Sequence, residues 1–338
     1  MIEVGVLGAT GAVGQRFVQL LAGHPWFHLK MVTASERSAG KTYRDAVNWR
    51  LDVPFPDETG DLIVKPTTVE SVKDLDFVFS AMPADVAGPL EIDIANAGVG
   101  VFSNAASHRM DPDVPLVVPE LNPDHLGLID VQHDAGRDGF IVTNPNCSTI
   151  VLTLALTPIR DIGFSDLRVA TMQAFSGAGF EGISAMSIYD NVVPYISSEE
   201  EKMEQETQKI LGSFDGAEII RAPFDVSASC HRVPVIDGHT MAVWLDTNRT
   251  PEEVTELYRT YKPPFSGLPH QPAESVHLFD EPDRPQPRLD RNRGDGMTVS
   301  VGRIREGLRF VAMGHNTIRG AAGASILNAE LIASGNRI

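Results

Sequence analysis

The run Gly8-Ala9-Thr10-Gly11-Ala12-Val13-Gly14 constrains this chain more than any other. It follows a stretch of strand character, Ile2–Leu7, and leads into Ala12–Leu21, where Val13, Phe17, Leu20 and Leu21 recur at helical spacing before Gly23. Glycines at such a junction let the backbone turn tightly and approach a pyrophosphate, whose charge meets free N–H groups and the positive end of the helix. Three glycines alone are a weak signal. With a second strand near residue 30, the context is that of a dinucleotide-binding unit, and Gly8, Thr10, Gly11, Ala12, Val13 and Gly14 are its expected phosphate contacts.

That second strand ends at Ala34-Ser35-Glu36-Arg37-Ser38, where the adenosine ribose belongs. A lone acidic side chain there accepts from a 2′-hydroxyl, whereas arginine and serine suit a 2′-phosphate. Glu36 leaves NAD open, while Ser35, Arg37 and Ser38 together favour NADP.

Up to residue 145 the chain alternates short β-rich runs with helical stretches, the pattern of a parallel sheet with crossover helices. The candidate strands are Ile2–Leu7, Leu29–Ala34, Phe77–Ala81, Val99–Ser103, Leu116–Val118 and Phe140–Thr143. Beyond Cys147 the punctuation changes. A helix is expected over Ser148–Ile159 and strands over Leu167–Phe175, Thr240–Leu245, Met297–Ile304 and Leu308–Met313, the last two joined by a Glu306-Gly307 turn. Pro263–Pro287 reads as a surface excursion, and Thr317–Ile332 as a helix returning to the first domain. The fold class is α/β: a Rossmann-type dinucleotide-binding domain plus an α+β domain with a mixed sheet.

The 338 residues suit two fused domains, and no apolar run approaches the roughly 20 residues of a membrane span. Nor does the N-terminus read as a signal peptide, so the expectation is a cytoplasmic protein. A formal charge of −17 argues against nucleic acid as a partner. Seven lysines against twenty-one arginines, with 45 acidic residues, is a composition that stays soluble at high salt by self-repulsion, as in halophiles.

Only two cysteines occur, Cys147 and Cys230, with no spacing that suggests a metal site or a disulfide framework. In Asn144-Pro145-Asn146-Cys147-Ser148-Thr149 the cysteine closes a strand and opens a helix, whose N-terminus favours the attacking thiolate. Asn146 is placed to hold or polarise an acyl oxygen. Ser198-Glu199-Glu200-Glu201 reads as a capping box for a helix ending near Gly212, on which Glu206 and Lys209 interrupt an apolar face.

Taken with Gln173-Ala174-Phe175-Ser176-Gly177-Ala178-Gly179, Glu206-Thr207-Gln208-Lys209-Ile210, Arg232-Val233-Pro234 and Gly238-His239-Thr240, these motifs resemble aspartate-semialdehyde dehydrogenase, most closely its archaeal and fungal branch. The resemblance runs nearly the whole chain in the expected order. It implies NADPH-dependent reductive dephosphorylation of L-aspartyl 4-phosphate through a cysteine acyl-enzyme, on the route to lysine, threonine and methionine. Residues 1–146, with the returning stretch 316–338, become the NADP-binding domain, and 147–315 a catalytic and dimerisation domain forming a homodimer or homotetramer.

By the same resemblance Cys147 is the nucleophile, His239 the acid/base and Gln173 a positioner of the acyl group. Arg232 grips the substrate carboxylate through a bidentate fork, Glu206 holds its amine, and Lys209 and Arg109 bind the phosphoryl group. Ser80, Gly177 and Asn316 join the cofactor contacts, and no metal is implied. The chain departs from the family at His108, where a small residue usually precedes the phosphate-binding arginine. Sister acyl reductases, such as a malonyl-CoA reductase or an N-acetylglutamyl-phosphate reductase, share the scaffold. The first needs no amine partner and the second carries a different cysteine motif, so Glu206 and Asn146-Cys147 favour the amino-acid substrate. A dinucleotide-sensing regulator that had lost the chemistry would not keep Cys147, His239, Gln173 and Arg232 together.

Overall fold

A computed structural model describes residues 1–335. Six parallel strands form the first sheet: β1 (Ile2–Leu7), β2 (Phe27–Ala34), β3 (Lys65–Pro66), β4 (Phe77–Ser80), β5 (Gly100–Ser103) and β6 (Phe140–Thr143). Their order, β3-β2-β1-β4-β5-β6, is doubly wound, so the crevice at the switch point opens beyond the ends of β1 and β4. Helix α1 (Ala12–Leu21) buries Phe17, Val18 and Leu21 against the sheet, and Phe17 packs on Phe79 with ring centroids 5.1 Å apart.

Leu116–Val118 makes only one bridge, from Leu116 to Thr143, where a sixth-strand neighbour was expected. Prolines 115 and 119 flank it, and the Val118 N–H is taken by the Asn122 side chain at 2.8 Å, so no ladder can propagate.

Helix α2 (Cys147–Leu156) links the two halves. Every residue from Ser148 to Leu156 is buried, as expected for a helix with no charged residue. It lies under a mixed sheet built from β7 (Asp166–Ala174), β10 (Asp225–Val233), β11 (His239–Leu245), β12 (Val276–Phe279), β13 (Val299–Arg305) and β14 (Arg309–Gly314), in the order β10-β7-β11-β14-β13-β12. A short hairpin, β8 (Ser213–Phe214) with β9 (Ile219–Ile220), stands apart. Helix α3 (Glu199–Ile210) packs beside α2 and β10 and buries Met203 and Ile210. The expected capping box is absent: Ser198 has φ +57 and its side chain caps nothing, so the acidic first turn is free to face inward.

Two readings of the second half change. The Pro263–Pro287 excursion contains edge strand β12, parallel to β13. The C-terminal return begins with a π-helical turn, Ile318–Ala322, before helix α4 (Gly323–Ala333); residues 336–338 of the expected domain lie outside the described residues. Ile326, Leu327 and Leu331 of α4 join the core of the first sheet.

A buried clasp fixes this return. Glu330 accepts from His24 Nε2 at 2.8 Å, from His270 Nδ1 at 2.6 Å and from the His270 N–H at 3.0 Å, joining α4 to the first domain and to the excursion. Desolvation alone would raise the Glu330 carboxyl, but the hydrogen bonds from both histidines outweigh it and hold the group below its ordinary value. Its contribution is therefore full above the unfolded pKa and is lost as pH falls through the folded one. Glu330→Gln is expected to cost roughly 3 kcal/mol at pH 7 in urea unfolding, and to reduce the loss of stability on acidification below pH 5.

Candidate active site

The end of β6 passes through Asn144-Pro145 to Asn146, which caps α2, and Cys147 is the first residue of the helix. Asn146 is held at three points. Its Oδ1 accepts from the N–H groups of Ser148 (2.8 Å) and Thr149 (3.4 Å); its Nδ2 donates to Glu199 at 3.0 Å; its main-chain N–H donates to Glu206 at 2.7 Å. The amide expected to polarise an acyl oxygen thus caps and orients the helix that begins at Cys147, with one Nδ2 proton outside the bond to Glu199.

Cys147 Sγ lies 3.1 Å from His239 Nε2, with His239 opening β11. The other ring nitrogen, Nδ1, accepts the N–H of Ala174 at the end of β7, 3.1 Å away. A nitrogen that accepts an N–H carries no proton, so the neutral ring holds its proton on Nε2, pointing at the sulfur. The carbonyl of the same residue, Ala174, accepts from Arg232 Nη1 at 2.8 Å, so one residue orients both side chains. Arg232 sits on β10 opposite Gln173 of β7, and the Gln173 amide donates to Thr171 Oγ1 at 3.3 Å. His231 contacts the Thr171 carbonyl and His315 its own loop through Thr317, so neither reaches the sulfur as His239 does.

Two glycines press on this group. A Cβ on Gly177 would stand 2.9 Å from Arg232 Nη1 and 3.3 Å from the His239 ring, and one on Gly320 would stand 2.7 Å from Cys147 Cβ. The π-helical turn therefore brings the C-terminal return directly against the nucleophile.

Burial dominates the electrostatics. It pushes the Cys147 thiol up to about 12, reinforced by the Glu199 carboxylate and opposed by Arg232, Arg109 and the Ser148 N–H. The helix-terminus effect expected from the sequence is present in the pull of the Ser148 N–H but is overcome by desolvation. Burial likewise pushes His239 down to about 3, with Arg232 and His315 acting in the same direction, and His315 down to about 4.

Arg109 is buried and donates to Glu206 Oε1 at 2.9 Å and to the Asn104 carbonyl at 2.8 Å. Glu206 thus bridges Arg109 and the Asn146 N–H. Lys209 does not match its expected phosphoryl contact: its ammonium donates at 2.8 Å to three carbonyls, of Arg109, Asp111 and Val114, and an ammonium has three protons to give. Desolvation pushes it down to about 8. It fastens the Arg109 loop. His108 fastens the other side, through Gly88 O at 2.9 Å and Asp111 at 2.7 Å, which gives the unusual residue a local structural role.

Across the junction, the glycine turn fits a pyrophosphate. Gly8 has φ +76, a Cβ on Gly14 would lie 2.1 Å from the Gly8 carbonyl, and the Gly11 cap supplies no side chain to the first N–H groups of α1. Ser80 ends β4 beside this turn, and Thr10, Ala12 and Val13 line its rim, partly exposed. Ser35 and Arg37 are exposed and Ser38 half-buried just past β2. Asn316 accepts from the Gly238 N–H at 2.8 Å and donates to Ser176 Oγ at 2.8 Å, tying the loops of β11 and β7 together. A cleft of about 520 Å³ runs between Ala12 and Arg16 on one side and Ser176 and Asp237 on the other.

Elsewhere, His24, His270 and Glu330 have ligand atoms within 4.8 Å of one another. His24 Nδ1 accepts the N–H groups of Trp26 and Phe27, which leaves the ring proton on Nε2 and removes that atom as a neutral metal ligand.

Sequence reasoning missed Glu199 and Ala174. The signal for Glu199 was its place two turns before Glu206 on one helix; Ala174 acts through its main chain and leaves no signal in residue identity.

Both buried histidines are neutral in the folded protein and protonate more readily when unfolded, so their contribution to stability is lost as pH falls from about 6.5 towards 4. His239 is expected to show the Nε2–H tautomer in ¹⁵N NMR from pH 8 to pH 5.5, and an imidazolium signal in that range would contradict the assignment.

Two family models match the chain: "Semialdehyde dehydrogenase, NAD binding domain" over residues 3–129 and "Semialdehyde dehydrogenase, dimerisation domain" over residues 156–319. The chain is 54% identical to an aspartate-semialdehyde dehydrogenase of Archaeoglobus fulgidus, covering 98% of this chain and 97% of the relative, and 46% identical to that of Candida albicans, covering 99% of each. Among solved structures it superposes on the Candida albicans aspartate semialdehyde dehydrogenase with NADP at a TM-score of 0.91 and 44% identity, over the full length of both chains. For aspartate semialdehyde dehydrogenase II of Vibrio cholerae the TM-score is 0.79, with 29% identity over 99% of each.

Proposed function

This chain belongs to the aspartate-semialdehyde dehydrogenase family, and from that premise we propose how its own residues carry the reaction. The activity is the NADPH-dependent reductive dephosphorylation of L-aspartyl 4-phosphate to L-aspartate 4-semialdehyde, which feeds lysine, threonine and methionine synthesis. The observation that carries it is the 3.1 Å approach of Cys147 Sγ to His239 Nε2 at the domain junction, with Arg232 on the same Ala174 residue.

Arg232 takes the substrate carboxylate in its guanidinium fork. The Arg109–Glu206 ion pair keeps two charges in store: the substrate's ammonium takes Glu206 while its phosphoryl group takes Arg109. Glu206 keeps its bond to the Asn146 N–H throughout. With the acyl carbon against Cys147, the C–S bond forms as the C–O bond to the phosphoryl group breaks, the thiol's proton leaves on the departing phosphate as Pi, and a thioester remains. The cationic groups Arg232 and Arg109 offset the desolvation that otherwise keeps the thiol protonated. His239 presents its Nε2 proton to the sulfur and then to the acyl oxygen as charge gathers there. Gln173 steadies the acyl group from β7. The Gly8–Gly14 turn, with Ser80, Gly177 and Asn316 around the other end, would hold NADPH, which when bound would supply the hydride for reduction of the thioester. Lys209 serves by holding the Arg109 loop.

Ser35, Arg37 and Ser38 fit the 2′-phosphate of NADP. Met186, Tyr189, Val192 and Tyr195 expose apolar surface on one segment of the second domain, which supports a homodimer or homotetramer. No helix among the described residues is long and apolar enough to cross a membrane, and a cytoplasmic site suits a biosynthetic enzyme.

With aspartate semialdehyde, phosphate and NADP, the protein is expected to generate reduced cofactor, and turnover with malonyl-CoA alone would select the sister reductase instead. Cys147→Ala should retain NADP binding while turnover falls by about 10³-fold or more. Arg232→Lys should raise KM for the semialdehyde despite keeping the charge, because the fork is lost; unchanged kinetics would remove Arg232 from the site.

A further inference from the structure

The residue before the nucleophile is gripped by two carboxylates from one helix. Glu206 takes the main-chain N–H of Asn146, and Glu199, seven residues earlier and two turns along α3, takes its side-chain amide. Glu199 is buried at 7% exposure, and its second oxygen faces Ser148 Oγ at 3.4 Å. Only one of these acids has a role in the reading above.

We propose that Glu199 is a positioning residue which fixes the orientation of the Asn146 amide and, through it, the N-terminus of α2 on which Cys147 stands. The cause is the asymmetry of an amide. Asn146 can present either oxygen or nitrogen to the first turn of α2, and only oxygen can accept the Ser148 and Thr149 N–H groups. A carboxylate is acceptor-only, so Glu199 demands the NH₂ on its own side and leaves the oxygen to the helix. Without that demand the flipped amide would set NH₂ against N–H, uncapping the helix at the residue that attacks.

Glu199 also acts on the sulfur through its charge. Cys147 is acted on by Glu199 from α3, Arg232 from β10 and Arg109 from its loop, and lies against His239 of β11; Glu206 of α3 holds the neighbouring Asn146 N–H, and His315, just after β14, acts on His239. Glu199 opposes the two arginines and favours the protonated thiol. Orientation and charge are separable, because glutamine offers Asn146 the same acceptor without the charge.

The test is the pH dependence of Cys147 alkylation by iodoacetamide, located by mass spectrometry. It needs no substrate, and so reports on Glu199 even were the proposed reaction wrong. Glu199→Gln is expected to move the alkylation profile to lower pH by about one unit. In the forward and reverse assays, Glu199→Ala is expected to lower kcat about tenfold, with KM for the semialdehyde changed less than threefold, because attack geometry and not binding is disturbed. Glu199→Gln should recover most of that kcat. An unshifted alkylation profile in Glu199→Gln overturns the charge effect. A kcat for Glu199→Ala within twofold of the parent, or a Glu199→Gln no better than Glu199→Ala, overturns the orienting role. If Glu199→Ala does not fold, Glu199→Asp, whose shorter carboxylate withdraws from Asn146, takes its place with the same expected loss.

Discussion

Everything at the site is referred to the N-terminus of one buried helix that carries no charged residue. Such a helix has no charged face by which to be aligned. Its first N–H groups are also unsatisfied by the helix itself. Asn146 answers both needs, capping the helix from inside and being tied from outside by Glu199 and Glu206. The ends of β7, β10 and β11 then bring Arg232 and His239 to the same point, and the Ala174 residue sets their mutual geometry.

The result is a site in which desolvation is the largest influence on both reacting groups. Cys147 is held as a thiol and His239 as a neutral imidazole until charge is brought in. An anionic substrate approaches against a formal charge of −17 for the whole chain, whereas Arg232 and Arg109 are cations buried near Cys147. Salt screens the long-range repulsion of the surface more than the buried contacts, so high ionic strength favours entry while leaving recognition largely intact.

The fold was legible wherever a periodic apolar pattern coincided with strong turn chemistry. The glycine turn, α1 and most strands of the first sheet followed from it, as did the hairpin of β13 and β14. Strand β10 was not read because Asp225-Val226-Ser227-Ala228-Ser229 alternates small and polar residues, and neither of its faces is fully buried there. Leu116–Val118 had the composition of a strand but was denied its ladder by flanking prolines. At the site, Cys147 Sγ and His239 Nε2 lie 3.1 Å apart. What the sequence could not carry was partnership: that three carbonyls claim Lys209, that Asn146 spends its amide on its own helix, or that Ser198 stands aside so that Glu199 turns inward. Those outcomes depend on which acceptor is nearest in space, and local pattern does not encode it.

The contact between Gly320 and Cys147 has a consequence for biosynthesis. A ribosome releases Cys147 long before residues 316–333, and until those last residues arrive one wall of the nucleophile's enclosure is missing. The half-buried thiol of the finished enzyme has, during synthesis, one more side open to water. Closing the dinucleotide fold with α4 and completing the reactive centre are thus one event in time, and a truncated or nicked chain that loses its C-terminal segment forfeits both together.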